Sequence, residues 1–137
     1  MILLDTNVLS EPLRPAPSQA VVDWIKRFDP LLVVPTIALA ELALGSANLE
    51  PGARRTALEL HRGRIIGDFA GRVVAFDIAS AESLGEVVEV SRKAGRPMSI
   101  LDSLIAAIAL AHRCDFATRN TADFAHLPFK LINPWTD

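Results

Sequence analysis

The 137-residue sequence contains no tyrosine and a single cysteine, Cys114. One thiol cannot close an internal disulfide, so folding requires no oxidising compartment. Aromatic residues make up only 6% of the chain, which leaves no evident platform for stacking successive nucleobases. Long apolar runs are also missing. The uncharged stretch from Leu31 to Ala40 holds 10 residues and includes Pro35 and Thr36, whereas a membrane-spanning helix needs roughly 20. Asp5 falls where the apolar centre of a signal peptide would have to run, so the expected location is cytoplasmic. Charge of neither sign dominates: 14 basic and 16 acidic residues give a net charge of −2. That balance excludes a surface that attracts nucleic acid everywhere, and any such contact must be local.

What is present is apolar. Hydrophobic residues account for 50% of the chain and the mean hydropathy is +0.30, which excludes disorder and predicts one packed domain over residues 1–137. For so small a domain the surplus predicts apolar surface covered by another chain, as in a homodimer or an obligate complex. Of the 14 basic residues, 11 are arginine and 3 are lysine. The planar guanidinium fork suits phosphate oxygens, although a genome rich in G and C favours arginine without any function.

Apolar runs and breakers alternate along the chain. Met1–Leu4 reads as a buried strand stopping at a polar loop, Asp5-Thr6-Asn7. Helical spacing starts at Ser18 and ends at Asp29-Pro30. Leu31–Val34 is a second strand, and Pro35 leads into a helix from Thr36 to about Ala47. A long helix from about Ala53 to Phe69, a strand at Val73–Ala75 and a helix from about Ala79 to Ala94 follow. Ser99–His112 is helical, Phe116-Ala117 a short strand, the next stretch a polar loop and Lys130–Ile132 a last strand. The alternation predicts an α/β fold: a parallel sheet of about four to five strands with helices on both faces. Ligands of such sheets sit beyond the carboxyl ends of the strands.

That rule points to Asp5, directly after the first strand, although Asp-Thr-Asn equally suits a helix cap. Glu41 is unusual because its helical neighbours Ile37, Ala38, Leu42 and Leu44 are apolar, and a buried unpaired carboxylate is costly; a partly exposed helix edge is the alternative. Asp102 stands third after Ser99, a capping-box spacing, and can serve the helix start while still facing outward. His61, His112 and His126 lie apart from these acids in sequence and suggest no metal set.

These residues carry a resemblance. The opening Ile2-Leu-Leu-Asp-Thr-Asn-Val-Leu-Ser10, Ala40-Glu-Leu42, Asp102-Ser-Leu-Ile-Ala-Ala107, Thr118-Arg-Asn-Thr-Ala-Asp-Phe124 and the closing Ile132-Asn-Pro-Trp135 resemble PIN-domain ribonucleases. They are similar in particular to the VapC-type toxins and their FitB-like branch, over nearly the whole chain. The resemblance implies a Mg²⁺- or Mn²⁺-dependent endoribonuclease that serves as the toxin of a toxin–antitoxin pair. Its partners would be an RNA substrate, a cognate antitoxin and a second copy of itself. It assigns Asp5, Glu41 and Asp102 to an acidic cluster, with Asp5 and Asp102 on the metal and Thr6 and Asn7 in support. The fourth position departs from the pattern, with Asn120 where an aspartate is common and Asp123 three residues on; Asp123 is expected as the fourth, outer acid and Asn120 as a supporting hydrogen-bonding group.

Carboxylates about 5 Å apart repel by roughly 3 kcal/mol per pair at an effective dielectric of about 20, so such a cluster needs a cation. Oxygen-only ligands select hard divalent ions. Basic residues must flank the cluster to hold RNA, and Arg96 and Arg119 are the expected pair, with Arg54, Arg55, Arg62, Arg64, Arg92 and Lys93 as further candidates. Two alternatives remain. A catalytically weak PIN-like module would bind RNA or a partner without cutting. Another Mg²⁺-dependent phosphoryl-transfer protein would use Asp5 as nucleophile, but Asn7 stands where the phosphatase signature needs a second aspartate, and a receiver's acidic pair is missing.

Overall fold

Short apolar segments bounded by polar residues form the strands, as residues 1–137 of the computed structural model show. Ile2–Leu4 (β1), Leu32–Pro35 (β2), Val73–Val74 (β3), Asp115–Ala117 (β4) and Leu131–Ile132 (β5) build one parallel sheet in the order β3-β2-β1-β4-β5. Between them run helices α1 (Thr6–Ser10), α2 (Gln19–Phe28), α3 (Thr36–Ala47), α4 (Ala53–Asp68), α5 (Ile78–Lys93), α6 (Ile100–Ala111) and α7 (Thr121–Phe124). None is long and apolar enough to cross a membrane.

Strand side chains alternate between two cores. Ile2, Leu4, Leu32 and Val34 pack with Val8 of α1, Trp24 of α2, Leu42 of α3 and Ile65 of α4. Leu3, Val33 and Phe116 pack on the other face with Val87 of α5, Ile105 and Ile108 of α6 and Phe124 of α7. Central strands buried on both sides explain why β1 and β2 read as unbroken apolar runs.

Two expected polar loops are helical. Asp5 is extended (φ −72°, ψ 156°) and its side chain accepts a hydrogen bond from Thr6 N, so the chain turns from β1 straight into α1. In the second loop Thr121–Phe124 make a single helical turn, α7.

The strand order places the site. From β1 the chain steps outward through β2 to β3, and it later returns to the other side of β1 as β4 and β5. The direction of winding therefore reverses between β1 and β4, which opens a crevice beyond their carboxyl ends. Leu4 pairs with Ala117 there, so Asp5 and Thr118 leave the sheet side by side. On the far side of the crevice Gly95, at φ +67°, closes α5. Arg96 N then donates to Ser91 O at 2.9 Å, Pro97 follows, and the short connection delivers Ser99 and Asp102 to the same end of the sheet.

Candidate active site

Asp5 is 5% exposed and is held from three directions. Its Oδ1 accepts from Thr6 N at 2.8 Å, and its Oδ2 accepts from Thr118 Oγ1 at 2.7 Å and Asn7 Nδ2 at 3.1 Å. A carboxylate offers about four acceptor directions, so one remains for a ligand. Thr6 also donates its hydroxyl to Glu41 Oε1 at 3.0 Å, which ties α3 to the end of β1. Glu41, half-buried, thus faces the crevice from an otherwise apolar helix.

Asp102 sits in the first turn of α6, where Ser99 Oγ accepts from its backbone N–H at 3.2 Å. Ser99 thus caps α6 at the expected spacing. Asp102 lines a cavity of about 350 Å³ with Arg96, Ser99 and Asp123. Arg96 is exposed and anchored through one guanidinium nitrogen, which donates to Ala122 O at 3.0 Å. Asp123 is exposed in the first turn of α7. Asn120 makes no side-chain cap for α7; its backbone N–H donates to Thr118 Oγ1 at 3.0 Å instead.

The acids sense one another. Burial pushes the Asp5 carboxyl above the usual range against the pull of its three donors, and the nearby Asp102 charge pushes it further. Glu41 is raised first by burial and then by Asp5 and Asp102, with the Thr6 hydroxyl opposing. Asp102 is raised by burial and by Asp123, with the Ser99 hydroxyl opposing. Electrostatic coupling thus links all four expected acids. No three His, Cys, Asp or Glu side chains stand close enough to grip one ion together. The donor set still fits a hard divalent cation: it is all oxygen, it carries excess negative charge, and Mg²⁺ needs only one or two carboxylates beside its waters. Asp5 and Asp102 are the residues that would hold it.

Thr118 is the member that sequence reasoning left unassigned. It is fully buried, and its hydroxyl donates to Asp5 while accepting from Asn120 N and, at 3.3 Å, from Asn7 Nδ2. Its signal was position, one residue beyond the strand that neighbours Asp5's. The histidines lie elsewhere: His61 Nε2 is 2.7 Å from Leu9 O, His126 Nε2 2.7 Å from Ser91 Oγ, and His112 Nε2 3.0 Å from Asp77 Oδ2. Of the other cations, Arg55 pairs with Glu59, Arg62 donates to Ser46 and Lys93 pairs with Glu89. A more apolar cavity of about 440 Å³ lies at the opposite end of the strands, between Trp24, Phe28 and Leu131, and contains none of the four acids.

The sequence pattern of the PIN domain family matches residues 2–130. The chain is 42% identical to plasmid stability protein StbB of Pseudomonas syringae pv. tomato, covering 98% of this chain and 99% of that protein. It is 39% identical to toxin FitB of Neisseria gonorrhoeae over the whole of both chains. Similarity to VapC ribonuclease Y4jK of Sinorhizobium fredii is 36% identity over 98% of each. Among solved structures, the crystal structure of FitAcB from Neisseria gonorrhoeae superimposes with a TM-score of 0.90 at 37% identity, covering 99% of each chain.

Proposed function

The chain belongs to the PIN domain family, and on that premise we propose that it is a Mg²⁺-dependent endoribonuclease, with Mn²⁺ as a substitute, acting in the cytoplasm as the toxin of a toxin–antitoxin pair. The observation that carries this reading is the set of four coupled carboxylates at the sheet's switch point, each of the three most central held above its usual pKa. The relatives named as a toxin and as a VapC ribonuclease support the same activity.

A bound divalent ion would activate water for attack on phosphorus and offset charge on the phosphoryl oxygens. Asp5 is fixed by three hydrogen bonds and presents its remaining lone pair in one direction. Asp102, held by the α6 cap, offers the second carboxylate. Glu41, steadied by Thr6, orients water in the crevice, and Asp123 does so from its outer edge. Arg96 binds a phosphate oxygen with the guanidinium nitrogens that Ala122 O leaves free.

The test is cleavage of RNA by the purified chain as Mg²⁺ or Mn²⁺ is titrated after chelation. Metal-dependent product ends that vanish in Asp5→Asn support the reading. RNA binding with no cleavage at any metal concentration would make the chain a binding module instead. The antitoxin and a second copy of the chain complete the proposal, since apolar side chains such as Ile78 and Ile100 stand 80% and 66% exposed. A lone monomer by light scattering at tens of micromolar, together with no small protein copurifying on co-expression, would remove both partners.

A further inference from the structure

The closing Ile132-Asn-Pro-Trp135 segment has no place in the chemistry above, yet it meets the active-site loop. The Arg119 guanidinium carbon lies 5.4 Å from the centre of the Trp135 ring. Arg119 is exposed, and no carboxylate lies within ion-pair distance of it. Its main chain is fixed: Arg119 N donates to Asn7 Oδ1 at 3.2 Å, and Asn7 in turn donates to Asp5 Oδ2 at 3.1 Å. Arg119 also directly follows Thr118, which holds the same Asp5 oxygen. Trp135 is held in a similar way, its main-chain N–H donating to Asn133 Oδ1 at 3.0 Å and its side chain partly buried against the same core as Ile132. A cation and an indole, each on a main chain held by a hydrogen bond, therefore stand together beside the loop that holds the most buried acid of the site.

We propose that Arg119 and Trp135 form a nucleobase subsite that holds the RNA residue next to the cleaved phosphodiester. This rests on the ribonuclease reading above and deepens it. A phosphate alone would need only the charge; a guanidinium backed by an aromatic ring offers an extended flat surface, which suits a base in single-stranded RNA. The low aromatic content predicted no stacking platform, but one platform beside the scissile bond needs one ring. The two partners are 16 positions apart in the numbering, Arg119 just beyond the carboxyl end of β4 and Trp135 just beyond that of β5, and the parallel pairing of these strands brings them to one end of the sheet.

Trp24 is buried at 7% exposure, so Trp135 is the reporter. In the full chain carrying Trp24→Phe and Asp102→Asn, with Mg²⁺ present, an oligouridylate should quench Trp135 fluorescence saturably. An abasic oligonucleotide of equal length should bind at least fivefold more weakly. In the cleaving chain, Trp135→Leu should raise KM by roughly 5- to 150-fold with kcat little changed, and Trp135→Phe should recover most of it. Arg119→Gln should lower the salt slope of RNA binding by about 0.7, whereas Arg119→Lys should keep the slope and lose the preference for base-containing RNA. Equal affinity for abasic and base-containing RNA, or Trp135 variants that shift only the melting temperature, would overturn the subsite and leave the ribonuclease reading intact. Quenching by a copurified antitoxin but not by RNA would likewise overturn it. A wild-type chain that neither binds nor cuts RNA would bring down both.

Discussion

Asp5 joins a local structural role to a position at which chemistry is proposed. It caps α1 through Thr6 N, and it also stands where the sheet's crevice opens. Capping and ligand binding ask for the same residue type, so the sequence alone does not separate them; the structure has the carboxylate capping α1, and the β1–β4 pairing sets it beside Thr118 at the crevice. Asp5, Glu41 and Asp102 all have pKa values raised first by burial, to which Asp102 adds at Asp5, Asp5 and Asp102 add at Glu41, and Asp123 adds at Asp102. The folded, metal-free chain therefore holds more protons than the unfolded chain between the ordinary carboxylate range and the raised values. The contribution of these three acids to stability is fully present below that interval and is lost as pH rises through it. Asp102→Asn should make the fall shallower in chelated melts while lowering cleavage on the order of 100-fold or more, since transition-state charge stabilisation by the ion is lost. A variant that cleaves at the wild-type rate, or that simply unfolds, would remove Asp102 from its role. The fourth acid follows the same logic. Asp123 shares a cavity with Asp102 and raises it, whereas the contact that Asn120 makes with the site is through its backbone. Asp123→Ala should weaken Mn²⁺ binding and cleavage by roughly 10-fold, a loss typical of groups that orient a metal's ligands, and Asn120→Ala should do less. Calorimetric Mn²⁺ titration of both variants decides it; an unchanged affinity for Asp123→Ala would take α7 out of the site.

At the scale of elements, much was legible from periodicity and breakers. The expected helix from Thr36 to about Ala47 is α3 as found, and the expected strands fall within a residue or two of β1 to β5. Those segments are long, strongly apolar or flanked by proline, so local pattern and tertiary packing agree. What was not legible were α1 and α7, each shorter than two turns, in which polar residues take helical form because neighbouring strands hold them in place. Thr118 was missed for a related reason: a threonine after a strand has no distinguishing pattern, and its importance comes from a neighbour 113 positions away. Its hydroxyl joins the ends of β1 and β4 to the start of α1 and to the loop before α7. Thr118→Val keeps the shape but leaves Asp5 Oδ2 and the Asn120 N–H without that partner. The expected cost is about 1–3 kcal/mol by urea unfolding, with the Asp5 pKa raised further because a donor to its charged form is gone. Unfolding at the wild-type midpoint would show that the hydroxyl's bonds are replaced by water.

Over the whole molecule, folding gathers like charge that the net balance conceals. A chain with a net charge of only −2 nevertheless brings four carboxylates into mutual range at one end of the sheet, with Arg96 and Arg119 at the border. That concentration is maintained by the two apolar cores, whose burial must exceed the repulsion for the chain to fold without an ion. A divalent cation that relieved the repulsion would bind the folded state and not the dispersed carboxylates of the unfolded one, and would raise stability by mass action. At a free concentration of 100 times its Kd the gain is about 2.7 kcal/mol, which for a domain of this size corresponds to a rise on the order of 10 °C in Tm. Melts should therefore climb with Mg²⁺ or Mn²⁺ beyond any effect of sodium chloride at matched ionic strength, because screening acts weakly on half-buried acids while coordination acts on them directly. In Asp5→Asn the baseline should be as high or higher and the metal response should shrink, since one repulsive charge and one ligand disappear together. Sodium chloride that reproduces the full shift in the wild-type chain, or an undiminished Mg²⁺ response in Asp5→Asn, would show that the acids share a field without sharing an ion.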